Sequence, residues 1–138
     1  MKVKAKMKVT SKEFFDFIIS QVKKDYLDST KKEEDTFLIK KGFSYKKDTG
    51  GEEKAKITIS KYLEPKEYAS EYQIGGNIYD MGYDIIDKGD SIEILYSELK
   101  RGDTSSSKIN QFVMQRRFDK QMKNVEKMLL AARKNESK

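Results

Sequence analysis

Residues 68–98 read YASEYQIGGNIYDMGYDIIDKGDSIEILYSE, and the fold is decided by their two-residue rhythm. Side chains alternate across a strand, so positions i, i+2 and i+4 share a face. Tyr68, Ser70, Tyr72 and Ile74 fall on one face, and Gly75-Gly76-Asn77 then makes a hairpin turn. Tyr79, Met81, Tyr83 and Ile85 share the next face, and Asp87-Lys88-Gly89-Asp90 turns again. Ile92, Ile94, Tyr96 and Glu98 share a third. Three consecutive antiparallel strands with one aromatic and apolar face need something to cover that face.

Working upstream, Lys54 to Leu63 alternates with Ala55, Ile57 and Ile59 inward, and Glu64-Pro65 ends it. Asp48-Thr49-Gly50-Gly51 is a turn. From Thr36 to Lys47 the residues Phe37, Ile39, Phe43 and Tyr45 sit on odd positions, with Gly42 interrupting as a bulge or a turn. At the N-terminus, Val3, Ala5, Met7 and Val9 alternate with Lys2, Lys4, Lys6 and Lys8, the pattern of a half-buried strand. Thr10-Ser11-Lys12-Glu13 is a capping box. Phe14, Phe15, Ile18, Ile19 and Val22 follow at helical spacing. This reading ends the helix near Lys24 and gives Asp25–Asp35, where charge dominates, to a second short helix or turn.

Downstream, Arg101–Ser107 is a polar loop whose end can cap a long helix running to about Lys134. Met114, Phe118, Met122, Val125, Leu129 and Ala132 form its apolar stripe, and Arg116, Lys120, Lys123, Lys127 and Lys134 lie opposite. The expected fold is therefore α+β: a curved antiparallel sheet of six or seven strands wrapped on a long C-terminal helix, with a short helical segment after the first strand. Residues 1–138 form a single domain, the size of one typical folding unit.

The opening strand Val3–Val9 running into Thr10-x-x-Glu13-Phe14-Phe15, and the closing helix Ser107–Lys134, resemble the START-like helix-grip superfamily of birch-pollen-allergen-type and polyketide-cyclase-type domains. The chain also resembles a small uncharacterised family of low-GC Gram-positive bacteria. The helix-grip resemblance implies that the N-terminal strand lies beside the last one, which would bring Lys4 or Lys6 near Glu93. It also implies a cavity for a hydrophobic ligand between the sheet and the long helix. One departure is the count of five strands after the first helical segment, where that superfamily usually has six.

Composition excludes much chemistry. With no cysteine there is no disulfide, thiolate nucleophile or Cys-ligated metal, and with no histidine the usual general base, metal ligand and serine triad are missing. Gly75-Gly76-Asn77 and Gly50-Gly51 precede no helix and no Gly-Lys-Ser/Thr, so neither is a phosphate loop. Asp80, Asp84, Asp87 and Asp90 lack the spacing and glycine of a calcium loop. No cofactor or metal is expected. The basic N-terminus has no apolar core of a signal peptide, and the longest apolar run is Met128–Ala132, so no membrane span is expected and the default compartment is the cytoplasm.

The formal charge of +6 is unevenly spread. Residues 1–63 hold 16 basic and 10 acidic residues (net +6), residues 64–98 hold 2 and 9 (net −7), and residues 108–138 hold 9 and 3 (net +6). Complementarity between neighbouring strands explains this as well as an anionic partner does. The basic helix stripe has no interleaved aromatics and no nucleic-acid-binding motif, so nucleic acid is an unlikely partner.

Six tyrosines, Tyr45, Tyr68, Tyr72, Tyr79, Tyr83 and Tyr96, take inward strand positions. Simple core packing is one reading. The other is a partly wet cavity, since a buried phenol needs a hydrogen-bond partner. Lys61 and Glu98 share the inward phase, either at strand ends that reach water or as charges at a cavity rim, where Glu98 is the best general-base candidate. The candidate lining is completed by Phe112, Phe118 and Met122. Ile109, Phe112 and Val113 point nearly opposite to the Met114–Phe118–Met122 stripe, so they are either covered by loops, making 107–113 a lid, or exposed as a patch for a partner or a weak homodimer. The leading expectation is a binding module for a small hydrophobic or amphipathic ligand. The alternatives are a cyclase- or isomerase-like enzyme in the same cavity and a protein-interaction domain.

Overall fold

The structure, a computed structural model, describes residues 2–30, 39–102 and 108–136. In chain order the elements are β1 (Lys2–Met7), α1 (Ser11–Thr30), β2 (Ser44–Lys47), β3 (Ala55–Leu63), β4 (Glu67–Ile74), β5 (Asn77–Asp87), β6 (Ile92–Lys100) and α2 (Lys108–Glu136). The strands form one six-stranded sheet in the order β1-β6-β5-β4-β3-β2, with every pairing antiparallel. Both helices pack on its inner face.

β1 pairs with β6 in the expected place, with Lys6 opposite Glu93 and Lys4 opposite Leu95. The meander β3 to β6 keeps the anticipated inward phase, and Ile57, Ile59, Tyr68, Ser70, Ile85, Ile92 and Ile94 are all buried.

Three local readings are corrected. α1 does not stop at Lys24 but runs unbroken for 20 residues to Thr30. The helical period continues through the charged stretch, because Tyr26 lies four residues beyond Val22 and is buried against Tyr45 and Phe43, with ring centroids 5.6 and 5.4 Å away. The strand read over 36–47 shrinks to Ser44–Lys47, because Gly42, at φ +91°, turns the chain and Phe43 N–H closes onto Lys40 C=O at 3.0 Å. Phe37 and the expected cap of α2 lie outside the described residues. Finally, β3 carries a bulge between Ile59 and Lys61. The extra residue moves Lys61 to the solvent side and turns Tyr62 inward, where its ring meets Phe15 edge-on at 5.3 Å.

The capping box forms as read. Thr10 N–H donates to Glu13 Oε1 at 2.8 Å, and Glu13 N–H donates to Thr10 Oγ1 at 3.0 Å. Glu13 also accepts from the Arg133 guanidinium near the end of α2, with Nε–H to Oε2 at 3.1 Å. α2 lies along β1 and covers its free edge with side-chain amides. Gln115 accepts from Lys4 N–H at 3.2 Å and donates to Lys4 C=O at 2.7 Å, Gln111 donates to Lys2 C=O, and Lys8 N–H donates to Glu126 at 2.7 Å. An unpaired strand edge is a template for aggregation unless something occupies it, and here helix amides take the place of a seventh strand. Phe118, Met122 and Val125 of α2 are buried in the core, and the Phe118 ring stacks on Tyr96 at 5.6 Å and 14°.

Two predictions follow from this packing. Phe118→Ala should lower stability by about 3–5 kcal/mol, measured by chemical denaturation, because it opens a hole beneath α2. The Arg133 hydrogen bonds, followed by those of the Thr10 cap, hold the Glu13 carboxyl near 2, below its ordinary 4.5. A depressed carboxyl adds stability that is present above about pH 4.5 and is lost as pH falls toward about 2. Glu13→Gln should therefore flatten that acid limb of the stability–pH curve, and an unchanged limb would show that the Glu13–Arg133 contact does not persist in solution.

Candidate functional site

The inner face of the sheet is a grid that the strand register defines. One row runs Tyr45, Ile57, Tyr72, Tyr79 from β2 to β5. The next runs Ile59, Ser70, Met81, Glu98 from β3 to β6. The third runs Tyr62, Tyr68, Tyr83, Tyr96 and ends on Val3 of β1. Directly opposed residues in a sheet have Cβ atoms about 5 Å apart, so each row is a continuous ridge. Two aromatic ridges thus flank a row of slimmer side chains.

α1 crosses this face from β5 to β2. Its Phe14 ring meets Tyr83 edge-on at 5.7 Å, and its far end packs on Tyr45. α2 sits over β1 and β6. Between the two helices and the sheet lies a cavity of about 750 Å³. It is lined by Phe17, Ile18, Gln21, Val22 and Asp25 of α1, by Tyr45 and Lys47 of β2, and by Ile57, Tyr68, Ser70, Tyr72, Ile74, Tyr79, Met81, Tyr83 and Glu98 of the sheet, with Gln121 of α2. This exceeds the ~300 Å³ at which small-molecule sites begin.

The structure brings Tyr45, Tyr68, Tyr72, Tyr79, Tyr83 and Glu98 together around this space. Tyr96, Phe118 and Met122 do not line it: they are committed to the packing of α2 on β6. Phe112 is 63% exposed, with the Arg116 guanidinium 5.9 Å from its ring centre, and Val113 is 41% exposed. The expectation of a covered lid therefore fails for both side chains. They lie a third of a turn apart, on the side of α2 that faces away from the core.

Several lining groups escaped the sequence reading. Asp25 accepts from the Tyr45 hydroxyl at 2.5 Å and pairs with Lys47 Nζ at 3.2 Å. Its signal was available, since Ile18, Val22 and Asp25 fall at spacings of four and three on one helix face. Gln21 and Gln121 had no distinguishing signal.

Burial, reinforced by Asp25, raises the Tyr45 phenol well above the ordinary range. Burial also raises Tyr68, Tyr83 and Tyr96, with Glu98 adding to the shift at Tyr83 and Tyr96, and the Tyr96 hydroxyl approaches Glu98 Oε2 at 3.4 Å. At neutral pH these phenols are protonated donors and not phenolate bases. Among the described residues no group of three or more acidic side chains is placed to hold a metal ion, and no helix is long and apolar enough to cross a membrane.

Comparisons with known proteins add a family and a fold. The family model described as "Domain of unknown function (DUF3284)" matches residues 1–119. The chain is similar in structure to DynU16, a protein of the dynemicin biosynthetic locus, at 10% identity and a TM-score of 0.55, over 76% of this chain and 38% of that one. It therefore spans less than half the length of DynU16. It is also similar to Mll3558 from Rhizobium loti, at 12% identity and a TM-score of 0.50, over 83% of this chain and 88% of that one. Both are helix-grip-like, and at these identities the likeness is one of fold. No curated protein matches the chain in sequence.

Asp25→Asn should bring the Tyr45 titration down toward, but not to, the ordinary phenol range, because burial, the larger cause, is left in place. Ultraviolet difference titration of this variant reads the shift directly. An unshifted Tyr45 would place Asp25 away from the phenol in solution.

Proposed function

We propose for this chain, which belongs to the DUF3284 family of unknown function, that it is a START-like, non-enzymatic binding module for a small, partly apolar ligand seated between the sheet, α1 and α2. One observation carries this reading: a cavity of about 750 Å³ whose wall mixes tyrosines with apolar side chains and a few polar groups at its ends. Ligand sites are concave and largely apolar, with few convergent polar groups, and they occupy the region between layers of a fold. The space opens to solvent, so a small molecule can reach it. The helix-grip-like architecture supports the same reading by analogy of fold.

Ser70 sits at the middle of the inner face, directly opposite Met81 on β5. Ser70→Phe fills the space between the tyrosine ridges. It should abolish uptake of an environment-sensitive fluorescent dye by the folded protein, with little change in far-ultraviolet circular dichroism. Uptake equal to that of the unmodified chain would place the dye elsewhere and remove the support for this site.

A second reading, a protein-interaction surface, is favoured by the exposure of Phe112 and Val113 on α2. A chain that self-associates through this patch loses its concentration-dependent sedimentation in Phe112→Ser while dye uptake persists. Identical sedimentation of the two proteins would exclude the patch as a self-association site.

A further inference from the structure

The inward phenols are of two kinds. Tyr45 donates to Asp25 at 2.5 Å, and the Tyr96 hydroxyl lies 3.4 Å from Glu98. Tyr68, Tyr72, Tyr79 and Tyr83 line the cavity, and none of their hydroxyls has a hydrogen-bond partner among the described residues. Tyr68 is the most deeply buried of these four, at 6% exposed, and Tyr83 stands directly opposite it on β5. Although they face each other across the strands, the two do not satisfy one another. Among the described residues no fully buried side-chain oxygen is left unpaired. A partnerless hydroxyl at this place is therefore one that opens onto the cavity.

Such hydroxyls take their partner from whatever occupies the cavity, because a shielded polar group left unpaired costs stability. Burial raises both the Tyr68 and the Tyr83 phenol, so each keeps its proton at neutral pH and has one to donate. A phenol, with an ordinary pKa of about 10, is a stronger donor and a weaker acceptor than an aliphatic hydroxyl. A carbonyl oxygen has two lone pairs and takes two donors. Directly opposed residues of an antiparallel pair have Cβ atoms about 5 Å apart, close enough for two O–H groups to converge on one oxygen. The flat group that carries such an oxygen also suits a wall of aromatic rings. An alkyl chain or an ammonium group offers neither hydroxyl an acceptor.

We propose that Tyr68 and Tyr83 form a two-donor site for a carbonyl oxygen, and that the ligand is a largely apolar carbonyl compound. The inference rests on the binding-module reading and adds the functional group that the cavity recognises. It is distinct from that reading, which a plain hydrocarbon ligand would also satisfy.

The test compares two probes of matched shape, acetylnaphthalene and ethylnaphthalene, on the full chain by isothermal titration calorimetry. Infrared spectroscopy reads the carbonyl stretch of the bound ketone. The ketone should bind about tenfold tighter than the hydrocarbon, with its stretch shifted below the value in an apolar solvent. Tyr68→Phe and Tyr83→Phe should each weaken the ketone about threefold or more and move the stretch back toward that value. Ethylnaphthalene should bind both variants no more weakly than before, which also reports that they are folded. If the hydrocarbon binds the unmodified protein as tightly as the ketone, the carbonyl assignment is overturned and the binding-module reading stands. A bound stretch at the apolar-solvent value, or one that neither variant moves, overturns it in the same way. If neither compound binds, the binding-module reading falls and the carbonyl assignment falls with it.

Discussion

The pairing of β1 with β6 is the constraint on which the rest of the structure depends. It joins the first strand to the last across almost the whole length of the chain. Once β1 is fixed at that edge, α1 must leave from it and cross the inner face toward β2. α2, leaving β6, can lie only beside β1. The two helices are thereby assigned to different parts of one sheet face, α1 crossing from β5 to β2 and α2 lying over β6 and β1, with a gap left between them. A single helix of ordinary diameter, about 10–12 Å, cannot span six strands spaced roughly 4.8 Å apart. The open space between the two helices and the sheet is thus a consequence of topology before it is one of side-chain choice.

Side-chain choice then decides what that space is. On β4 and β5 the positions facing it are Tyr68, Ser70, Tyr72 and Ile74, and Tyr79, Met81 and Tyr83. Tyrosine suits a strand face that is half covered, because its ring buries apolar area while its hydroxyl can stay near water or a polar partner. Toward the edges, where α1 and α2 make contact, the facing residues become Ile59, Ile85, Ile92 and Ile94, all buried and without polar atoms. Tyrosine also serves the covered sheet, where Tyr96 lies under Phe118 and Tyr62 meets Phe15, so residue type alone does not mark the cavity.

Much of this was legible in the residues. Alternation alone assigned the inward phase of the four meander strands, and the capping box located the start of α1. What alternation cannot carry is an interruption of its own period. The bulge after Ile59 reversed the phase of β3, so Lys61, inward by strict alternation, reaches water as the strand-end reading had it, and Tyr62 turns inward. Phase also names a face but not a neighbour. Tyr96 shares its inward phase with Tyr83, yet it lies beneath Phe118 and belongs to the core, whereas Tyr83 reaches the cavity. That distinction depends on where α2 crosses the sheet, which is a tertiary fact. Asp25 was missed for a third reason. Charge density suggested the end of a helix, but a partly buried aspartate held by a phenol and a lysine does not end one.

A domain that leaves part of its interior open forgoes the contacts that would have filled it, so its helices need other attachments. These are found at the rim. Arg133 of α2 ties to Glu13 of α1, joining the end of one helix to the start of the other. Gln115 makes a two-way bond with the backbone of Lys4, and Glu126 accepts from Lys8. At the opposite edge, Asp25 of α1 holds Tyr45 and Lys47 of β2. Each of these contacts links a helix to the sheet edge or to the other helix, and only the last meets the cavity, at its β2 end. Hydrogen bonds to charged groups contribute more than neutral ones, about 1.5–3 kcal/mol where they are shielded and less where water reaches them. They also demand a fixed geometry, which apolar contacts do not. Polar attachments around the perimeter therefore hold the helices at a set distance from the sheet without requiring that the space between be full. That condition lets the tyrosine-lined space persist between the helices and the sheet.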